Sequence, residues 1–226
     1  MADDVAPAPV PLPGPDVRVK TGLWVAERAI HRIHSRRFSA LQFNPGFGSA
    51  RFSPLLNPAG NAVPTLYGGA SIDVALMETL FHDLPYHSNG TPFDMAKIAG
   101  LVYSRLVPLH PLTLVALTPM TLRRLGVRRQ QLLDSEASDY VFTRYWAQAL
   151  WRDNPQAHGI CWSSRQHGGQ ALMLFGDRVT VQGLRIEIAS SSLITSDVLL
   201  DHIEKLADEM GVILLPPGGG AFNQGR

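Results

Sequence analysis

Residues 158–175, HGICWSSRQHGGQALMLF, hold the clearest folding signal in the chain. The stretches 158–164 and 170–175 have the length and apolar content of β-strands, and the RQHGG between them contains two glycines, which tight turns favour. We therefore predict a β-hairpin. Residues 138–152 (SDYVFTRYWAQALWR), just before it, repeat apolar residues at helical spacing. Helices interspersed with paired strands predict an α+β domain.

Further elements of both kinds lie on either side of this region. Ser71 is placed to cap a helix that runs to about His82, and Asp73 stands in its first turn, where the helix dipole favours a negative charge. Gly126 is expected to end a short helix. The other predicted elements are strands over 97–107, 113–117 and 179–187, and helices over 119–125 and 196–210.

The two ends of the chain have a different composition from the middle. Proline occupies every second position from 7 to 15, which favours an extended, polyproline-like arm. We predict a flexible arm over residues 1–20, with a disordered tail and a docking arm both left open. The closing PPGGGAFNQGR predicts a flexible tail over 213–226. The catalytic or binding domain is therefore expected over 21–212.

Composition limits the class of protein. The chain has 226 residues, of which 45% are hydrophobic and 17% charged, and its mean hydropathy is +0.02, which is typical of one globular domain. A single cysteine, Cys161, excludes an internal disulfide framework and favours the cell interior. No apolar run of about 18 residues predicts a membrane span, and the acidic, proline-rich N-terminus does not resemble a secretory signal. We expect a cytoplasmic protein.

Two kinds of ligand are not expected. The net charge is only +1, and the one basic segment, with arginines at 123, 124, 128 and 129, is short, so direct nucleic-acid binding is not predicted. The histidines lack an HExxH context, and no set of four metal ligands at useful spacing occurs, so no metal site is predicted.

Glu78 is the most informative single residue. It lies in SIDVALMETLF (residues 71–81), where apolar side chains cover both neighbouring faces of the helix. A carboxylate is rarely buried without a partner. Three interpretations remain open: a narrow exposed stripe, a structural ion pair, or a carboxylate that points into a pocket for catalysis or ligand binding.

Four other residues are candidates for ligand contact. Arg51, after a Gly/Ser stretch, and Arg32, between apolar neighbours, have the planar fork that binds phosphate, although either could be an ordinary structural or surface arginine. Tyr67 and two glycines precede the Ser71 helix, whose N-terminus could accept an anion. Ser164, at the end of a predicted strand, could contact a ligand, but no GxSxG motif marks it as a nucleophile.

Taken in chain order, these residues resemble the pattern of the RES domain, a family named for its arginine, glutamate and serine. Arg32 lies in an early arginine segment, Arg51 follows a Gly/Ser stretch, and Glu78 stands eleven positions after Tyr67. The late segment GICWSSR at 159–165 is similar to the G-I-x-[WY]-x-S-R of the family. The resemblance covers roughly residues 29–179.

RES proteins are toxins of bacterial RES–Xre toxin–antitoxin pairs, with a fold that resembles ADP-ribosyltransferase toxins, and they consume NAD. The resemblance implies a central, mostly antiparallel sheet flanked by helices. It also implies Glu78, Arg51, Tyr67 and Ser164 as catalytic residues, and Arg32, Arg51, Tyr67 and Ser164 as residues that bind NAD, without a metal. These residue types suit cleavage of a glycosidic bond, because a carboxylate stabilises a positively charged ribose and arginines neutralise a pyrophosphate.

The resemblance leaves the acceptor of ADP-ribose open among a protein side chain, water and phosphate. It implies a cognate Xre-type antitoxin that covers the active site, and no membrane partner. The alternative that the sequence itself leaves open is a non-enzymatic interaction module, acting through the Pro-rich arm and the Arg-rich segment at 123–129.

Overall fold

Strands and short helices alternate along the chain, as the sequence predicts. The computed structural model describes residues 9–85 and 87–217. The strands are β1 Thr21–Trp24, β2 Ile30–Ser35, β3 Leu55–Leu56, β4 Ala62–Val63, β5 Thr65–Gly69, β6 Pro92–Asp94, β7 Leu101–Pro108, β8 Leu112–Ala116, β9 Gly159–Ser163, β10 Gln170–Phe175, β11 Leu184–Ser192 and β12 Ile213–Leu215. The helices are α1 Ile72–Thr79, α2 Pro119–Leu125, α3 Arg129–Leu132, α4 Tyr140–Asp153 and α5 Asp197–Met210. None of these helices has the length and apolar content that crossing a membrane requires.

Eight strands form the central sheet, in the order β1-β8-β9-β10-β5-β2-β7-β11. Every neighbouring pair is antiparallel except β8 and β9, which run parallel. The predicted α+β class with a mostly antiparallel sheet is therefore confirmed. Helices α1 and α5 pack over the β2–β7 part of one face, and α2 and α4 pack over the β8–β10 part of the same face. The two groups of helices leave a gap above the middle of the sheet.

The predicted hairpin and the main helices are confirmed, with two corrections among the strands. The hairpin pairs Gln170 with Ser163 and Leu174 with Gly159. The segment predicted as a strand from residue 97 begins instead with a 3-10 helix, Met95–Ile98, which Asp94 caps. The strand predicted from residue 179 begins at Leu184, because Arg178 donates hydrogen bonds to the carbonyls of Trp151 in α4 and of Asn154 and Ala157 after it, which holds the chain in a turn.

Strand β2 was not predicted, because its sequence, IHRIHS, is polar for a central strand. The structure satisfies the polar groups internally. Arg32 donates to the carbonyl oxygens of Ala40 at 2.7 Å and Gln42 at 2.9 Å. His34 Nε2 lies 2.8 Å from the hydroxyl of Ser104 on β7. Burial, with a smaller contribution from Arg32, lowers the pKa of His34 to about 4, so the ring is neutral. Its Nδ1 donates to the Ser35 carbonyl at 3.1 Å, which leaves Nε2 to accept from Ser104.

The two glycines after Tyr67 serve close packing. A Cβ on Gly68 would lie 2.5 Å from Ile30 Cγ2, and a Cβ on Gly69 would lie 2.6 Å from Val74 Cγ1 and 3.0 Å from the backbone nitrogen of Ala75. Only residues without a side chain let β2 and α1 approach β5 this closely. Gly68 thus serves strand–strand contact and Gly69 helix–sheet contact, and the anion site suggested by the sequence at this helix N-terminus stays a prediction.

The described part of the Pro-rich arm runs along α4. Trp146 Nε1 donates to the carbonyl of Pro11 at 2.7 Å, and Val17 N donates to Asp153 at 3.0 Å. Val10 and Val17 are buried in the cluster beneath. Residues 1–8 of the predicted arm and 218–226 of the predicted tail lie outside the described residues, and β12, within that tail, pairs parallel with β6. The domain boundaries at residues 20 and 212 stay predictions.

Substitution of Gly69 by alanine tests the close contact. We expect Gly69→Ala to lower the free energy of unfolding by about 1–3 kcal/mol, because the new methyl group overlaps Val74 and the α1 backbone. Urea denaturation followed by circular dichroism measures the change.

Gly100→Ala is the matched control, because nothing lies within 4 Å of a Cβ at that position. Its effect is expected to stay within about 0.5 kcal/mol. Equal unfolding midpoints for both variants would show that the Gly69 contact relaxes without penalty.

Candidate active site

A cavity of about 300 Å³ fills the gap between the two groups of helices. Its floor is the sheet, and its walls are α1, the first turn of α4 and the loop before β3. This volume is at the lower end of the range of about 300–1,000 Å³ that is usual for ligand pockets. The lining residues are Ile33, Ser49, Ala50, Arg51, Tyr67, Gly68, Ala75, Glu78, Thr79, His82, Tyr140, Trp162 and Ala171.

Arg51 and Glu78 face each other across this cavity. Arg51 Nη1 lies 4.0 Å from Glu78 Oε2, and the two side chains are 9% and 20% exposed. Of the three interpretations of Glu78, the structure combines two: the carboxylate is in an ion pair, and it lines a pocket. Opposite charges attract more strongly where water is largely excluded, so this attraction acts directly across the cavity.

Tyr67 projects from β5 into the same cavity. Its hydroxyl donates to the Ser53 hydroxyl at 3.2 Å, and its ring meets the edge of the Trp162 ring at a centroid distance of 6.3 Å. Burial, only partly offset by its hydrogen bonds, raises the pKa of Tyr67 to about 12. The phenol is therefore protonated near neutral pH and presents an apolar ring with a hydrogen-bond donor.

Ser164 and Arg32, the other two residues predicted from the sequence, are not among the residues that line the cavity. Ser164 lies two positions beyond Trp162 on the same face of the strand, and its buried hydroxyl has no hydrogen-bond partner in the described part of the chain. Arg32 lies on β2 next to Ile33, which lines the cavity, so its side chain points to the opposite face of the sheet. There it binds backbone carbonyls, and desolvation lowers its pKa to about 10.

Three lining residues were missed by the sequence analysis. Tyr140 begins α4, and its ring centroid lies 5.8 Å from the Arg51 guanidinium carbon. His82 follows Glu78 by four positions, and its Nε2 lies 3.0 Å from the Asp83 carboxylate. Trp162 shares a strand face with Ser164. The four-residue spacing from Glu78 is the signal that could have revealed His82, whereas no local signal marks Tyr140.

Some of the buried polar atoms without partners lie around the cavity. Among residues 9–85 and 87–217, seven buried side-chain polar atoms have no hydrogen-bond partner, and three of them, Arg51 Nε, His82 Nδ1 and Trp162 Nε1, belong to lining residues. Such atoms are uncommon in native proteins, and an unsatisfied one costs about 1–3 kcal/mol. The three at this cavity are available to a polar ligand.

Helix α4 fixes the backbone of Arg51 by hydrogen bonds. The buried hydroxyl of Thr143 donates to the Arg51 carbonyl oxygen and is also 3.1 Å from the carbonyl of Tyr140. The side chain of Arg144 reaches Ser49 in the same loop, at 3.3 Å. These contacts fix the short loop at 49–51 on the first turns of α4, so the direction of the Arg51 side chain depends on the position of that helix.

The described residues contain no cluster of three or more His, Cys, Asp or Glu side chains that could hold a metal ion. The polar groups of the cavity instead include a guanidinium, a carboxylate, two phenols, an imidazole and an indole. Such a set suits a polar, uncharged or anionic organic ligand, with Glu78 placed to face any positive charge that develops on it.

Comparison with known proteins gives a family and a fold. A family model described as the RES domain matches residues 26–193. A chain in the crystal structure of the M. tuberculosis MbcT-MbcA toxin-antitoxin complex is similar, with a TM-score of 0.55 and 15% sequence identity, over 80% of this chain and 92% of that chain. No curated protein matches the sequence. Similarity at this identity establishes a shared fold.

Thr143→Val tests how the Arg51 loop is held. We expect it to lower the free energy of unfolding by about 1–3 kcal/mol, because the buried carbonyl of Arg51 loses its donor while the side chain keeps its shape. Chemical denaturation measures the loss.

Thr143→Ser keeps the hydroxyl and is expected to retain most of the stability that valine loses. If serine destabilises the protein as much as valine does, packing of the methyl group, and not the hydrogen bond, holds the loop.

Proposed function

This chain belongs to the RES domain family, and we propose that it is a toxin-like enzyme that cleaves the bond between nicotinamide and ribose in NAD. The observation that carries the proposal is the pairing of Arg51 with Glu78 at 4.0 Å across a cavity that Tyr67 also lines. Three of the four residues that the family resemblance marks as catalytic thus meet at one cavity.

The chemistry follows from the charges in this cavity. When the bond between ribose C1′ and the pyridinium nitrogen breaks, its electron pair returns to the nitrogen and positive charge develops on the ribose. Glu78 is the carboxylate that stabilises this charge. Nicotinamide leaves as a neutral molecule, so the reaction requires no acid to protonate the leaving group.

The other residues bind and orient the substrate. The Arg51 guanidinium faces Glu78, and its Nε, which has no hydrogen-bond partner among the described residues, can donate to a substrate oxygen. The protonated phenol and ring of Tyr67 pack against the nicotinamide ribose. Ser164 is proposed to hydrogen-bond the substrate at the edge of the site, since its buried hydroxyl has no partner among the described residues. The earlier assignment of Arg32 to the pyrophosphate loses support, because both ends of its guanidinium already bind carbonyls.

A nucleophile completes the reaction at C1′. Water yields free ADP-ribose, phosphate yields a phosphorylated ADP-ribose, and a side chain yields a modified protein. In each case the bond forms between an acceptor oxygen or nitrogen and C1′. Water or a protonated side chain also loses a proton to solvent, whereas an ionised phosphate oxygen needs to lose none. The identity of the co-product distinguishes a glycohydrolase, a phosphorylase and a mono-ADP-ribosyltransferase.

An enzyme that consumes NAD endangers the cell that makes it. We therefore propose a cognate Xre-type antitoxin that covers the cavity, and a cytoplasmic location where NAD is available. The similar M. tuberculosis structure is that of a toxin-antitoxin complex.

The alternative of a non-enzymatic module acting through the Pro-rich arm is less favoured, because the carbonyls of Pro9 and Pro11 already accept hydrogen bonds from Gln131 and Trp146 of the same chain.

The test is nicotinamide release from NAD by the purified protein, followed by mass spectrometry, with and without phosphate and a cell lysate. We expect Glu78→Gln to lower the rate by about 100-fold or more, because a neutral amide no longer stabilises the positive ribose.

Glu209→Gln, an exposed substitution on α5, is the matched control and is expected to keep the wild-type rate. Circular dichroism confirms that both variants fold. If the wild-type protein, free of any co-purified inhibitor, releases no nicotinamide under these conditions, the proposed function is wrong.

A further inference from the structure

A second and larger cavity adjoins the first. It measures about 690 Å³ and opens beneath α2, at the carboxyl ends of the parallel strands β8 and β9. Leu117, Leu122 and Val127 give it an apolar wall. Trp162 lines both cavities, so its side chain belongs to the wall that they share.

Arginines form the polar side of this second cavity. Arg129 is already engaged, with Nε 3.1 Å from Asp134 and Nη2 3.0 Å from the Ser163 carbonyl. Arg123 and Arg128 are exposed, and neither forms an ion pair with any residue in 9–85 or 87–217. Two guanidinium groups without carboxylate partners, beside an apolar wall, complement a ligand that has both a phosphate and a flat apolar group.

The substrate of the proposed reaction has such a part. A cavity of about 300 Å³ is at the lower limit for a small ligand and cannot enclose a whole dinucleotide. The remainder of NAD, adenosine with its phosphate, must extend beyond the first cavity. The buried Trp162 Nε1, which has no partner among the described residues, lies at the shared wall that the connecting pyrophosphate would pass.

We propose that the cavity beneath α2 binds the adenosine phosphate half of NAD. Arg123 and Arg128 contact its phosphate, the apolar wall receives the adenine ring, and the Trp162 indole nitrogen donates to an oxygen of the pyrophosphate. This assignment rests on the proposed function, and it gives the Arg-rich segment at 123–129 a role in substrate selection.

The experiment compares two substrates that share the scissile bond. Nicotinamide mononucleotide has the same nicotinamide–ribose bond as NAD and lacks the adenosine phosphate half. For Arg123→Ala/Arg128→Ala we expect KM for NAD to rise about 10-fold with little change in kcat, because the lost contacts bind the substrate away from the reacting bond. The preference for NAD over the mononucleotide, as a ratio of kcat/KM, falls by a similar factor.

Two further variants serve as controls. Arg124→Ala removes an exposed arginine of the same helix that does not line the cavity and donates to the Arg18 carbonyl, so the substrate preference is expected to remain that of the wild type. Arg123→Ala alone leaves Arg128, which begins α3, in place, and is expected to show a smaller loss of preference in the same direction.

A binding measurement separates this inference from the proposed function. Titration calorimetry with adenosine monophosphate is expected to show binding to the wild-type protein and binding weaker by about 10-fold in the double variant. If the wild type cleaves NAD and the double variant keeps the wild-type preference, the inference is overturned and the proposed function stands. If neither the wild type nor the double variant cleaves NAD, but the monophosphate binds in a way that depends on Arg123 and Arg128, the proposed function fails. The assignment of this cavity as a binding site for an adenosine phosphate then stands. Absence of monophosphate binding, or equal binding by both proteins, overturns the inference.

Discussion

The helices lie around the guanidinium of Arg51 and the carboxylate of Glu78, which are 4.0 Å apart and largely shielded from water. Removing two charges from water is unfavourable, and only close pairing with further hydrogen bonds offsets that loss. The surrounding structure fixes the position of the pair, but Arg51 Nε has no hydrogen-bond partner among the described residues. Glu78 lies on α1, and the absence of a side chain at Gly69 lets α1 pack closely on β5. Arg51 lies in a loop whose backbone carbonyl accepts a hydrogen bond from Thr143 of α4. The sheet lies beneath the pair and fixes the separation of the two helices.

The N-terminal arm extends this arrangement. Its backbone accepts and donates hydrogen bonds along α4, from Trp146 to Asp153, and its valines join the core cluster under that helix. A segment whose composition alone is compatible with disorder thus lies against the helix that carries Tyr140 and supports Arg51. The proline pattern suits this placement, because an extended chain without internal hydrogen bonds leaves its carbonyls available to side-chain donors.

The two cavities that Trp162 lines differ in their chemistry, and this difference underlies the proposal that each binds a different end of the substrate. The smaller one holds Glu78 close to Arg51, which suits the atoms where charge develops. The larger one combines an apolar wall with arginines, which suits a nucleotide held by its base and phosphate. Binding groups remote from the reacting bond improve orientation and substrate preference without taking part in bond cleavage.

The sequence by itself determined the elements whose signals are local. Ser71 and Gly126 mark helix ends, the glycines of 165–169 mark the hairpin, and Glu78 stands out because its neighbours on the helix are apolar. Each depends on residues a few positions apart, so capping, turn geometry and periodicity suffice. Strand β2 escaped prediction because its buried Arg32 and His34 find their partners in a loop and in another strand. Only the tertiary structure decided that Arg51, Tyr67 and Glu78 share a cavity with Tyr140, His82 and Trp162 while Arg32 faces away, because strand order and helix packing join residues that lie far apart along the chain.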